Sequence, residues 1–107
     1  MRKNKLYVTD ISKSINLTHH VSVDMGMFRV ESVSHTLLDD YGADINETEL
    51  DFEINGKRCR YDGFKELYEK LHGDGSFKSF TSDLYRQIEE AVAKQITEEY
   101  PGTNVNF

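Results

Sequence analysis

The spacing of apolar positions changes several times along this chain, and each change marks a boundary. Leu6, Tyr7 and Val8 predict a short first strand, and Asp10 to Asn16 a polar connection. Val21, Val23 and Met25 then alternate with His20, Ser22 and Asp24, the period of two expected of a half-buried strand. Gly26 interrupts, and Phe28 and Val30 resume the alternation one register later, which predicts a bulge or a tight turn. Val33, Leu37 and Tyr41 share one face of a predicted short helix, with Ser32 or Ser34 to cap it and Gly42 to stop it.

The following segment is the most specific. Leu50, Phe52 and Ile54 alternate with Glu49, Asp51 and Glu53, and Asn55-Gly56 supplies a strong hairpin turn signal. A two-residue loop there sets Ile54 against Lys57, Glu53 against Arg58, Phe52 against Cys59, Asp51 against Arg60 and Leu50 against Tyr61. One face of this 49–61 hairpin then collects Leu50, Phe52, Cys59 and Tyr61, while the other carries two opposite-charge pairs.

Two helices follow. Asp62 is placed to cap the first, whose stripe is Phe64, Leu67, Tyr68 and Leu71 and whose stop is Gly73. After a turn at Asp74-Gly75, Phe77 and Phe80 lead into the longest helix, capped by Ser79, Thr81 or Ser82. Its buried stripe is Leu84, Ile88, Ala91, Val92 and Ile96, and Pro101-Gly102 ends it. The expected fold is α+β: a small antiparallel sheet including the 49–61 hairpin, with two C-terminal helices and one short helix packed on it. The 107 residues are expected to make one globular domain, frayed at 1–4 and 102–107.

Charge adds one feature that the pattern does not explain. From Asp39 to Glu53 there are seven carboxylates and no Lys or Arg; the whole chain has 19 acidic and 13 basic residues, so the remainder is close to neutral. A field so concentrated steers cationic partners and repels nucleic acid. Asp51 and Glu53 have predicted arginine partners across the hairpin. Asp39, Asp40, Asp44, Glu47 and Glu49 have none nearby in sequence, and are the candidate partner-binding residues. A solvated surface that only keeps the chain soluble is the plainer explanation of such a run.

Other chemistry is poorly represented. His19 and His20 are neighbours, so a strand points them to opposite faces, and no H-E-x-x-H, H-x-H or second cysteine completes a metal set. A calcium loop begun at Asp40 would have Gly42 at loop position 3, where an acidic or amide ligand is needed. No G-x-S-x-G, Walker or dinucleotide motif is present, and Cys59 falls on the apolar face of the hairpin. Glu89-Glu90 and Glu98-Glu99 sit at polar positions of the long helix. No metal, cofactor or catalytic residue is therefore expected. The lone cysteine, the absence of an apolar run near the roughly 18 residues of a membrane span, and the absence of a signal-type stretch point to a cytoplasmic protein.

This profile, a short acidic α+β chain without catalytic signature, is similar to many small phage or mobile-element proteins that inhibit a host nucleic-acid-handling complex. The resemblance is one of type, and no residue role follows from it. It implies a non-enzymatic inhibitor in the host cytoplasm, occupying a basic nucleic-acid-binding groove as a nucleic-acid mimic. Direct nucleic-acid binding and membrane contact are not expected. Two other classes stand beside it: an assembly protein using an aromatic patch drawn from Tyr7, Phe28, Tyr41, Tyr85, Tyr100 and Phe107, and a small enzyme without a recognisable motif.

Overall fold

Asn55 and Gly56 both take positive φ, 52° and 80°, and close a two-residue loop between antiparallel strands. The observed pairs are Ile54 with Lys57, Glu53 with Arg58 and Phe52 with Cys59, as the turn chemistry predicts. The structure is a computed structural model, and it describes residues 7–13 and 17–106. The elements run β1 (Asp10–Lys13), β2 (Thr18–Met25), β3 (Phe28–Asp39), β4 (Gly42–Ile54), β5 (Lys57–Cys59), α1 (Tyr61–His72), α2 (Ser76–Glu99) and β6 (Val105–Asn106). β1 to β5 lie side by side in chain order as an antiparallel meander, and β6 pairs with β4 in parallel. The architecture is α+β, with both helices on one face of the sheet.

Alternation decides which face that is. Val21 and Val23 of β2, Phe28 and Val30 of β3 and Phe52 of β4 are buried beneath the helices, while their neighbours in sequence face away. α1 contributes Phe64 and Tyr68. α2 contributes Phe77, Phe80, Leu84, Ile88, Val92 and Ile96, a continuous stripe along the helix. At the centre the rings of Phe28, Phe52, Phe64, Tyr68, Phe77 and Phe80 interlock. Phe52 and Phe64 have centroids 4.8 Å apart, and Phe28 meets Phe64 edge-on at 4.9 Å. Aromatic pairs of this kind add about 0.5–1.5 kcal/mol each beyond the area they bury.

Several expectations are corrected. The helix expected from Val33 to Tyr41 is instead the second half of β3 and its turn. Val33 and Leu37 are both odd-numbered, so a strand also puts them on one face, and Ser32, Ser34 and Thr36 occupy the other. The first strand lies at Asp10–Lys13 rather than at Tyr7 and Val8, which precede it without regular structure; Leu6 lies outside the described residues. Part of the expected 10–16 connection is therefore β1 itself. The β4–β5 ladder ends at Cys59, because Arg60 is already the N-cap of α1 and Tyr61 its first residue. Arg60 and Tyr61 consequently do not face Asp51 and Leu50. Asp62 sits in the first turn of α1, where its charge complements the helix dipole, and does not cap it. α2 begins at Ser76 behind Gly75, so Phe77 and Phe80 belong to its first turns, and Ser79, Thr81 and Ser82 are helical.

Within the C-terminal tail, where fraying is expected over 102–107, residues 104–106 bond to β4. The Ala43 N–H donates to the Asn104 carbonyl at 2.8 Å, and Val105 and Asn106 align with Ala43 and Asp44. The expected fraying of residues 1–4 lies outside the described residues.

Candidate functional site

The carboxylates of interest lie on the longest hairpin of the molecule, β3–β4. From Phe28 with Ile54 to His35 with Glu47 the two strands pair without interruption. The register then shifts, and Thr36 faces Ile45, leaving Asn46 as the extra residue of a bulge. The bulge has a consequence for charge. Asp44 and Glu47 are three residues apart and would point to opposite faces of a regular strand. The shift restores Asp44, opposite Leu37, to the same helix-free face as Glu47 and Glu49. Along the regular part, Glu47, Glu49, Asp51 and Glu53 form a row at intervals of about 6.8 Å, twice the rise per residue of an antiparallel strand.

Among the described residues, one carboxylate of this row, Asp51, is held in an ion pair. Arg58 pairs with Asp51 at 2.7 Å, and Arg29 aligns with Glu53 across β3–β4 while binding Glu31 and Asp24. The carboxylate of Glu31 beside it, which also accepts from Ser22 Oγ at 2.7 Å, raises the Arg29 pKa and keeps the guanidinium charged. Farther along, Asp39 accepts the Tyr41 N–H at 2.8 Å within the turn, and Asp44 accepts from the Asn106 side-chain amide at 2.9 Å. Among the described residues, no Lys or Arg forms an ion pair with Asp39, Asp40, Asp44, Glu47 or Glu49, and all five are exposed. The structure thus brings Asp44, Glu47 and Glu49 onto one face, with Asp39 and Asp40 at the hairpin end.

The same end carries apolar groups that the helical reading of residues 33–41 hid. Tyr41 is 89% exposed, Leu37 61% and Leu38 43%. Strand parity, had it been applied to Leu37, would have moved it to the outer face. Of the six aromatics considered for an apolar patch, Tyr7 and Phe28 are buried in the core and unavailable. Tyr41, Tyr85 and Tyr100 are exposed, and Phe107 lies outside the described residues.

Two clefts accompany these features. One of about 220 Å³ separates the β3–β4 end from residues 102–104, with Asp39, Asp40 and Tyr41 in its wall. A larger one, about 470 Å³, lies between α1 and the start of α2, remote from the acidic row, with Lys65 and Lys78 at its rim. Cys59 is half-buried, and its Sγ–H is directed at the Phe52 carbonyl at 3.6 Å. Burial, with Glu53 nearby, raises its pKa and favours the thiol over the thiolate. His19 is buried beneath α2, and among the described residues neither ring nitrogen has a hydrogen-bond partner. Burial lowers its pKa first and the Lys13 charge second, while Glu99 and the Leu17 carbonyl, close but outside hydrogen-bond geometry, act the other way. Among the described residues no three of His, Cys, Asp and Glu converge as metal ligands, and no helix is long and apolar enough to cross a membrane.

No protein-family model, no curated protein and no solved structure matches the chain.

Proposed function

We propose that this protein is a binding module whose β3–β4 hairpin docks on a basic surface of another protein. The observation that carries the reading is the concentration of exposed carboxylates at Asp39, Asp40, Asp44, Glu47 and Glu49, which have no cationic partner among the described residues, next to exposed Leu37 and Tyr41. A charged rim with an aromatic anchor is the composition that protein interfaces favour. In its more specific form the protein is a phage-type inhibitor that enters a nucleic-acid groove of a host complex. The gathering of Asp44, Glu47 and Glu49 on one exposed face, with Asp39 and Asp40 at the hairpin end, supports that form.

The test is a variant with Asp39, Asp40, Asp44, Glu47 and Glu49 replaced by Asn or Gln, measured against a partner recovered by pull-down. The side chains are solvated, so stability should hold or rise slightly as repulsion is relieved. Association should slow, and the wild-type rate should fall as salt rises, while the variant's rate hardly responds. Equal binding of both proteins at low salt would reduce the acidic surface to a solubilising one. The exposed Leu37, Leu38 and Tyr41 favour a second reading, assembly through an apolar contact, for which Tyr41→Ser and not the charge variant would abolish association.

A further inference from the structure

The outer edge of β4 is occupied at both ends and open between them. β5 pairs with Phe52–Ile54 and β6 with Ala43 and Asp44, and among the described residues no strand pairs with the outer edge of the stretch between. The direction of the backbone groups there follows from the ladder. Asn55 N–H donates to the Met27 carbonyl, so in the regular part of β4 the residues of that parity, 53, 51, 49 and 47, turn their amide groups toward β3. Thr48 and Leu50 turn theirs outward, each offering one donor and one acceptor.

An open edge is a template for another strand, and natural sheets guard such edges with bulges and charges. Both guards are present: the Asn46 bulge at one end of the opening, and Glu47, Glu49 and Asp51 along it. The charges also select. A second copy of this chain would set an identical acidic row beside the first, and like charges across a strand pair destabilise it. A strand with Lys or Arg at alternate positions would place each cation beside a carboxylate while its backbone met Thr48 and Leu50. We infer that the β4 edge between β5 and β6 takes up an extended basic segment of the partner, which adds a strand to the sheet. Residues 46–50 span about 17 Å, enough for a segment of roughly five residues. The inference rests on the docking role proposed above and adds to it the form of the ligand and the backbone atoms that hold it.

The probe is a synthetic hexapeptide alternating Lys with Val or Thr, capped at both ends, and the same peptide N-methylated at the residues that would donate to β4. Amide exchange is followed residue by residue. With the unmodified peptide bound at low salt, exchange at the Thr48 and Leu50 N–H groups should slow about tenfold or more. N-methylation, which keeps every charge, should weaken binding by roughly tenfold. If both peptides bind equally and neither protects Thr48 and Leu50, the cations are held by side chains alone; strand addition is overturned and the docking role stands. If the unmodified peptide protects those amides equally well in the five-fold charge variant, the edge is a strand acceptor but the acidic docking role fails. Absence of saturable binding by either peptide at millimolar concentration overturns the inference.

Discussion

The backbone N–H of Tyr7 donates to Gln87 Oε1 at 2.7 Å, joining the first described residue to the middle of α2 inside the protein. Gln87 is only 7% exposed, and it stands on the buried side of a helix whose other inward residues are apolar. The amide is where it is because Tyr7, with no strand around it, has a buried donor to satisfy. Gln87→Leu keeps the volume and removes the acceptor. It should cost about 1–3 kcal/mol, read from urea denaturation. An unchanged midpoint would mean that the Tyr7 N–H finds another partner.

Gly56 offers a test of backbone conformation alone. Its φ is +80°, and a Cβ added there would meet nothing within 4 Å. Gly56→Ala should therefore lower stability by about 1 kcal/mol through the left-handed conformation and nothing else. A thermal melt that shows no loss would place the loop elsewhere.

At Gly42 two effects combine. Its φ is +137°, and a Cβ would overlap the backbone oxygen of Asn104, the atom that accepts from Ala43 N–H. Gly42→Ala should cost of order 2 kcal/mol or more, and should speed amide exchange in β6. Deleting residues 103–107 removes the obstacle, so in the truncated chain the same substitution should cost distinctly less. Additive effects in this double-mutant cycle would contradict the contact.

His19 should make stability sensitive to acid. Its native pKa is depressed, chiefly by burial, so the unfolded chain binds a proton more readily than the native one. Stability is then complete above the ordinary histidine value of about 6.5 and declines as the pH falls through it toward the lower native value. His19→Leu also removes two buried ring nitrogens that have no partner among the described residues, and should be at least as stable as wild type at neutral pH. Denaturation midpoints at pH 7.5 and 5.5 should differ less for the variant. Identical pH dependence would show that His19 is not the source of the effect.

How much of this was legible depended on whether a residue's surroundings were local. The 50–59 hairpin was, because Asn55-Gly56 fixes its own geometry and Phe52 and Glu53 alternate cleanly. The α2 stripe was, because Leu84, Ile88, Val92 and Ile96 repeat every fourth residue. β3 was misread because the polarity of its second half is inverted. Ser32, Ser34 and Thr36 face the helices, where Ser34 exchanges a hydrogen bond with Thr48 at 3.1 Å and Ser32 reaches the Val21 carbonyl at 3.4 Å. Meanwhile Val33 and Leu37 face outward. For Ser32 and Ser34, partners in other strands make that inversion tolerable, and a local window does not contain them. The five acidic candidates were visible as composition. Their common face was not, since it depends on Asn46 being the extra residue of a bulge, a property of the β3–β4 pairing. Val105 alone gave no sign that the tail would meet Ala43.

The order of the strands also bears on how the chain assembles. Each antiparallel pairing joins a strand to the next in sequence, and three of the four connections are two-residue turns, so most of the sheet can zip up from its hairpins with little loop entropy to overcome. The parallel junction of β6 with β4 is different in kind, bringing together residues more than sixty positions apart for two paired residues. It has least to gain early and is the natural last step of folding. By the same reasoning it is the first seam to open, and under native conditions the β6 amides should exchange through a local opening while those of β2 and β3 wait for the whole molecule to unfold.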